Sequence, residues 1–219
     1  MKKEIFDEFS PQAGEKYQPI TRNQKDNMTT IYFVRHCLPD QKWQDDRTRP
    51  LTDEGLADSF KLVEILKDKK IDVFVSSPYK RSFDTIKPTA DFYGMKIEID
   101  DRLHERKAGK KGNSGPDMFK KRWADFSFAE EDGESIGSVQ KRNIEALSEI
   151  LKKYEDKTIA IGTHGTALSS IINYYEPSFN AESFLKIIDF MPWVLKMTFD
   201  GEKYLGREEV FHIYKEFKG

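Results

Sequence analysis

Two arginines and two histidines lie where predicted β-strands end. Arg35 and His36 directly follow one short apolar run, and His164 directly follows another. Arg81 lies one turn into the helix expected after a third such run. In open parallel sheets, ligands bind beyond the carboxyl ends of the strands, so we expect these four side chains to converge on one site.

A phosphoryl group is the ligand that this set of side chains fits best. Guanidinium groups bind phosphate oxygens in pairs, and helix N-termini expected after Ser77 and His164 would add N–H donors. A histidine among cations is driven toward its neutral form, and neutral imidazole is a competent nucleophile. The set therefore favours phosphoryl transfer to a histidine. The alternative is that the arginines form structural ion pairs and the histidines belong to the core.

Alternating strands and helices must position these residues. The predicted buried strands are residues 30–34, 72–76 and 158–162, with a short strand at 96–99. This alternation predicts an α/β fold, a three-layer sandwich with a mainly parallel central sheet, helices on both faces and a possible antiparallel edge. Between Leu185 and Tyr214 we expect two or three strands with a turn at Asp200-Gly201. The polar stretch at 106–134, with one short helix near residues 118–126, predicts a small lid insertion.

Three helix signals are specific enough to test. Thr52 should cap a helix with one apolar face. Ser77 should cap a helix that starts at Pro78 and that Pro88 ends or kinks. Ser135 should cap a long helix, and residues 165–175 should form another. The apolar face of the first helix consists of Leu56, Phe60, Val63 and Leu66.

Composition excludes several functional classes. The 36 Lys and Arg residues nearly balance the 38 Asp and Glu residues, so the net charge of -2 disfavours nucleic acid as the main partner. No apolar run approaches the roughly 18 residues of a membrane-spanning helix, and no secretory signal is evident. The single cysteine, Cys37, forbids an internal disulfide, so we expect a cytoplasmic protein. Residues 1–27 are predicted to be a polar arm, and residues 28–219 a single domain.

Six segments resemble, in order, the motifs of the histidine phosphatase superfamily, the phosphoglycerate-mutase-like group. The resemblance covers roughly Met28 to the end of the chain. Any one segment is a weak signal, whereas six in order are a strong one. The segments are Phe33-Val34-Arg35-His36-Cys37, Arg49-Pro50-Leu51-Thr52-Asp53-Glu54-Gly55, Ser76-Ser77-Pro78-Tyr79-Lys80-Arg81-Ser82-Phe83-Asp84-Thr85, Leu103-His104-Glu105, Gly133-Glu134-Ser135 and Thr163-His164-Gly165.

The resemblance implies a role for each of five residues. His36 would become the phosphohistidine, while Arg35, Arg81 and His164 would bind the phosphoryl oxygens. Glu105 would protonate the leaving alcohol and then activate water; the competing interpretation is a solvated loop carboxylate. No cofactor or metal is expected, and the partner would be a small phosphorylated substrate. The sequence leaves the oligomeric state open.

One residue departs from the family pattern, and one group of basic residues has two possible roles. Cys37 stands where the motif usually has glycine, which would be costly if the backbone there needed a positive φ; Cys37 as the nucleophile is the less favoured alternative. Basic residues close behind Glu105 either rim the cleft and attract anions or form a solvated charge run. They are Lys107, Lys110, Lys111, Lys120, Lys121 and Arg122.

The function that we expect is hydrolysis of phosphomonoesters by a metal-independent phosphatase through a phosphohistidine. The first alternative is a phosphoglycerate mutase, which returns the phosphoryl group to a hydroxyl. The short stretch at 106–133 favours hydrolysis, because the mutases carry longer insertions. The second alternative is a non-catalytic phosphate-binding protein; the presence of all five site residues argues against it.

Overall fold

The computed structural model of the protein describes residues 28–110 and 115–216. The polar arm predicted at residues 1–27 lies outside them. The strands are β1 (Thr29–Arg35), β2 (Val73–Ser76), β3 (Ile97–Ile99), β4 (Thr158–Thr163), β5 (Phe190–Asp200) and β6 (Lys203–Tyr214). The helices are α1 (Asp53–Leu66), α2 (Lys80–Phe92), α3 (Pro116–Ala124), α4 (Ile136–Lys153), α5 (Gly165–Tyr175) and α6 (Ala181–Ile187).

A single six-stranded sheet has the order β3-β2-β4-β1-β5-β6. Strands β1 to β4 pair in parallel, whereas β5 runs antiparallel to β1 and β6 antiparallel to β5. The predicted mainly parallel sheet with an antiparallel edge is therefore confirmed. Arg35 pairs with Thr163, and Ser76 pairs with Gly162, so the three central strands end at one edge.

Helices cover both faces of the sheet, as predicted. Because side chains alternate along a strand, Ile31 and Phe33 of β1 enter one apolar core, while Tyr32 and Val34 enter another. Helices α4, α5 and α6 contribute to the first core, and α1 and α2 to the second. Two buried faces explain why the central strands read as continuous apolar runs.

The predicted insertion contains α3 and packs against α6. Its Phe119 ring lies 5.5 Å from the ring of Phe184 in α6, and Trp123 lies 5.8 Å from that same ring. Among residues 28–110 and 115–216, no helix is both long and apolar enough to cross a membrane.

The prediction of the buried face of α1 is wrong for the first half of the helix. Thr52 caps the helix by accepting the N–H of Gly55, as expected, but Leu56 and Phe60 are exposed. At this end α1 approaches the loop after β1 so closely that a side chain at Gly55 would collide with the Leu38 carbonyl. Small and polar positions therefore face inward, and Asp58 is among them.

Helix α2 differs from its prediction at both ends. It begins at Lys80, two residues after the predicted start at Pro78, and Tyr79 occupies the N-cap position without a capping side-chain hydrogen bond. It also continues through Pro88, which lacks the N–H for one internal hydrogen bond. Buried Ile86 and Ala90 pack with α1 in the same core, and this packing holds the helix on either side of the proline. Ser135 caps α4 as predicted.

The C-terminal strand prediction is wrong at its start. Residues 185–187, expected to begin a strand, are the last turn of α6. From Phe190 onward two strands are present, which agrees with the predicted two or three, and the turn between them occupies residues 201–202, one residue beyond the predicted position.

Candidate active site

The predicted residues meet at the carboxyl edge of the sheet in a cleft of about 690 Å³. Arg35, His36, Arg81 and Glu105 line this cleft. His164 does not line it, because it is completely buried behind His36 with its ring centroid 5.4 Å from that of His36. The structure thus brings all five residues together but exposes only four of them to the cleft.

His36 is oriented by the backbone that follows it. Its Nδ1 lies 2.8 Å from the carbonyl oxygen of Cys37. A carbonyl can only accept, so Nδ1 carries the proton and neutral Nε2 keeps its lone pair. Burial, with the charges of Arg81 and Arg35, holds the pKa of His36 well below its usual value. The ring is therefore a neutral imidazole with a nucleophilic Nε2.

His164 is fixed by a hydrogen bond to the loop after β2. Its Nε2 lies 2.7 Å from Ser77 Oγ, and its Nδ1 is buried with no hydrogen-bond partner among the described residues. Burial, followed by the charge of Arg81, lowers the pKa of His164 well below its usual value. The edge of its ring also contacts Tyr79, at 5.3 Å between centroids. A second neutral imidazole thus supports the first from behind.

Arg35 is held by the end of α6. Its Nη1 and Nη2 donate to the carbonyls of Ile187 (2.7 Å) and Ile188 (2.9 Å), while Nε is buried without a partner among the described residues. Burial lowers the pKa of Arg35 to about 10, so it remains charged at neutral pH. A side chain at Gly165 would press on the guanidinium, which explains why glycine fits there.

Arg81 has an acidic neighbour that sequence reasoning missed. Its Nη1 donates to the Asp46 carbonyl at 2.6 Å and forms an ion pair with the Asp46 carboxylate at 3.1 Å. The same carboxylate pairs with Arg49 at 2.9 Å. Burial lowers the pKa of Arg81, and Asp46 opposes that effect. Asp46 and Arg49 both line the cleft. A carboxylate therefore lies beside Arg81, one of the residues predicted to bind phosphate.

Glu105 occupies the N-terminus of α5. Its Oε2 accepts the N–H of Thr166 at 3.0 Å, and its Oε1 accepts those of Ala167 at 3.1 Å and Arg106 at 2.7 Å. The N–H groups of Thr166 and Ala167, expected to bind the phosphoryl group, are therefore used by Glu105. The competing interpretation of a solvated loop carboxylate does not agree with these three bonds.

Arg142 and Glu134 fix the segment that carries Glu105. Arg142 donates to Glu134 through Nε (2.7 Å) and Nη2 (2.8 Å). It also donates to the carbonyls of Arg102 (2.6 Å), His104 (2.7 Å) and Glu105 (3.2 Å). Burial acts to raise the pKa of Glu134, but Arg142 outweighs it and lowers the pKa. In the sequence, the Gly-Glu-Ser segment indicates Glu134, whereas no motif indicates Arg142.

Cys37 is a buried residue on an ordinary backbone. Its φ is not positive, and its N–H donates to Thr85 Oγ1 at 2.9 Å. Burial raises the pKa of its thiol to about 12. The protein thus accommodates a side chain where the motif usually has glycine, and the thiol stays protonated near neutral pH.

The predicted basic rim is present only in part. Lys107 and Lys110 line the cleft, whereas Arg122 is buried and donates to Glu130 at 2.6 Å. Lys111 lies outside the described residues. Across the described ranges, no group of three or more His, Cys, Asp or Glu side chains could hold a metal ion.

The fold and the site define an α/β protein in which a histidine and two arginines lie at one edge of the sheet. The family model of the histidine phosphatase superfamily (branch 1) matches residues 31–195. The chain therefore belongs to the histidine phosphatase superfamily.

Among curated relatives, the chain is 26% identical over 149 residues to a protein named uncharacterized phosphatase PhoE from Bacillus subtilis (strain 168), covering 66% of this chain and 76% of PhoE. Solved structures with the same fold include two phosphatases. One is a mutant phosphoserine phosphatase from Entamoeba histolytica in complex with phosphoserine (TM-score 0.68, 19% identity, 84% of this chain and 96% of that one). The other is a mycobacterial glucosyl-3-phosphoglycerate phosphatase with inorganic phosphate (TM-score 0.64, 16% identity, 82% of this chain and 95% of that one).

Proposed function

We propose that the protein is a metal-independent phosphatase that hydrolyses phosphomonoesters through a phosphohistidine on Nε2 of His36. The observation that carries this proposal is the hydrogen bond from His36 Nδ1 to the Cys37 carbonyl, which leaves Nε2 as a lone-pair nucleophile in the cleft. Its relatives named as phosphatases support the same class of reaction.

In the first step, Nε2 of His36 attacks phosphorus and the bond to the ester oxygen breaks. The charges of Arg35 and Arg81 stabilise the transferring group, which is where most of the rate gain in phosphoryl transfer arises. An alkoxide leaves poorly, so Glu105 donates a proton to it. Glu105 Oε2 accepts only one N–H bond and keeps a site for that proton.

In the second step, water attacks the phosphohistidine and the P–N bond breaks. Glu105, now a carboxylate, takes a proton from this water, so it returns to its starting state. Phosphate leaves, and Nε2 regains its lone pair. General acid–base help of this kind contributes roughly 10²–10⁴ in rate. His164, completely buried against His36, keeps the nucleophilic ring in place.

The thiol of Cys37 is a poor competitor for the role of nucleophile. Its pKa of about 12 keeps it protonated, and it is fully buried. Thiolate, not thiol, is the reactive form.

Acid-quench labelling tests the proposal. The protein incubated with a ³²P-labelled alkyl phosphate should yield an acid-labile, alkali-stable phosphoenzyme, and phosphate should be released. His36→Ala should give neither, while Cys37→Ala should give both. Turnover by His36→Ala would overturn the mechanism, and EDTA should leave the rate unchanged if no metal takes part.

Assays of phosphoglycerate interconversion and of phosphate binding separate the alternatives. A mutase would interconvert phosphoglycerates faster than it releases phosphate, and a non-catalytic protein would bind phosphate without turnover. A cytoplasmic location and a small phosphorylated substrate as partner are part of the proposal.

A further inference from the structure

The cleft has an apolar wall beyond its phosphoryl end. Phe119 of the insertion and Phe184 of α6 line it, and their rings are in contact. Ile188 and Met191 line the same wall. Phe184 and Met191 are almost completely buried. The wall is therefore part of a packed surface and does not consist of isolated exposed side chains.

The apolar wall lies next to the proposed proton donor. A smaller cavity of about 100 Å³ adjoins the cleft and shares Glu105, Phe119 and Phe184 with it. Trp123 and Ile136 also line this cavity. The oxygen that Glu105 protonates belongs to the alcohol part of the ester, so that part must lie against these side chains.

Most cations of the cleft already have a partner within the protein. Arg49 pairs with Asp46 at 2.9 Å and Arg106 with Glu130 at 2.9 Å. Lys110 pairs with Glu131. Within the described ranges, Lys107 at the exposed mouth is the cleft lysine whose side chain has no ion pair. A second anionic group on the substrate would therefore compete with Asp46, Glu130 and Glu131 for most of these cations.

We propose that the preferred substrates are phosphomonoesters of uncharged, apolar alcohols, of the arylalkyl or branched alkyl class. Burial of the alcohol against Phe119 and Phe184 stabilises such an ester in the cleft, whereas a carboxylate packed against these two rings would be desolvated. The proposal rests on the proposed function and adds the alcohol class to it.

The test compares esters whose leaving groups are all primary alkoxides. The full-length protein is assayed for phosphate release from 2-phenylethyl phosphate, 3-phosphoglycerate and phosphoserine. We expect kcat/KM for 2-phenylethyl phosphate to exceed the other two values by about tenfold or more, the scale of discrimination by an apolar pocket.

Substitutions of Phe119 test whether the apolar wall causes the substrate preference. Phe119→Ser should reduce kcat/KM for 2-phenylethyl phosphate by about tenfold and change that for 3-phosphoglycerate little, whereas Phe119→Leu should retain most of it. Phe92→Ser is the matched control, because Phe92 is an exposed phenylalanine on α2 that does not line the cleft. Melting temperatures verify that each variant is folded.

Each contrary result has a distinct meaning. A preference for 3-phosphoglycerate or phosphoserine that Lys107→Ala removes would overturn this inference and leave the phosphatase proposal standing. Equal kcat/KM values for all three esters would also overturn it. No phosphate release from any ester would overturn the proposed function itself.

Discussion

Arg81 and Asp46 form an ion pair inside the cleft where an oxyanion is expected. Arg81 is only 3% exposed, and its Nη1 donates to both the carbonyl and the carboxylate of Asp46. A phosphoryl group that approaches Arg81 must therefore share this guanidinium with a carboxylate of like charge. We therefore expect Asp46 to limit how tightly a free anion binds at this site.

Replacing Asp46 by Asn should strengthen binding of phosphate and vanadate. The substitution removes the negative charge but keeps the size of the side chain. Since half-exposed ion pairs are worth up to about 1 kcal/mol, the inhibition constant of vanadate should fall about threefold to fivefold. The measurement is vanadate inhibition of phosphate release, with Asp45→Asn as the control, because Asp45 pairs with Thr48 outside the cleft. Weaker inhibition in Asp46→Asn would show that Asp46 helps to organise Arg81.

Replacing Arg142 by Lys should impair proton donation by Glu105 but leave the residues that bind the phosphoryl group in place. Lysine cannot donate to three carbonyls and to Glu134 at once, so the segment carrying Glu105 would lose its position. Misplacement by about 1 Å can cost on the order of 10²-fold in rate. We expect kcat for alkyl phosphates to fall roughly 10- to 100-fold, with a smaller effect on p-nitrophenyl phosphate, whose leaving group needs no proton.

Arg102→Lys is the matched control for Arg142. The Arg102 side chain pairs with Asp100 and Glu149 on the surface, and only its carbonyl touches Arg142. This variant should keep nearly full activity. If Arg142→Lys slowed both classes of ester equally, its role would be general stabilisation and not the positioning of Glu105.

Replacing Cys37 by Ala should leave catalysis nearly intact. The residue contributes its backbone carbonyl to His36 and its N–H to Thr85, and alanine retains both groups. We expect kcat/KM within about threefold of the parent and a loss of ~1 kcal/mol in the free energy of unfolding from the missing sulfur. Activity assays and urea denaturation measure the two effects. A loss of catalysis with the fold intact would reopen the role of the thiol.

The parts of the fold that sequence predicted are those governed by local patterns. The buried runs of β1, β2 and β4, and the cap at Ser135, follow from residue type and spacing alone. Convergence of His36 and His164 follows from the rule that parallel strands end at one edge of the sheet.

The errors arise where distant contacts decide the outcome. The inward face of α1 is set by the approach of Leu38 to Gly55 and by Lys215, which lies far away in the chain and pairs with buried Asp58. Asp46 lies in an irregular loop with no periodicity, so nothing in the sequence connects it with Arg81. The sequence also does not show that His164, which follows the strand next to β1, is completely buried, whereas His36 lines the cleft.

Asp58 gives the protein a pH-dependent contribution to stability. Burial acts to raise the pKa of its carboxyl, but hydrogen bonds from Lys61 and Lys215 outweigh burial, so the folded-state pKa is lowered. The contribution is therefore present above the unfolded-state pKa of about 4 and is lost as the pH falls through the lower folded-state value. Urea denaturation between pH 7 and pH 3 should show a smaller decline in Asp58→Asn than in the parent. An equal decline in both proteins would assign the acid sensitivity to other carboxylates.

Replacing Glu105 by Gln should separate the two chemical steps. Glutamine has a single acceptor oxygen, so it can keep the N–H bonds of Ala167 and Arg106 but not that of Thr166, and its amide cannot donate or take up the proton. Hydrolysis of alkyl phosphates should slow by roughly 10²–10⁴, about 3–5 kcal/mol of barrier.

With p-nitrophenyl phosphate, the Glu105→Gln variant should still form phosphohistidine, because nitrophenolate departs without a proton. Dephosphorylation should remain slow, since no group then takes the proton of the attacking water. Rapid mixing should therefore record a burst of nitrophenol, close to one equivalent per active site, followed by a slow steady state. His36→Ala, run in parallel, should give no burst. Small and equal effects of Glu105→Gln on both esters, without a burst, would mean that another group supplies the proton and that Glu105 serves only to cap α5.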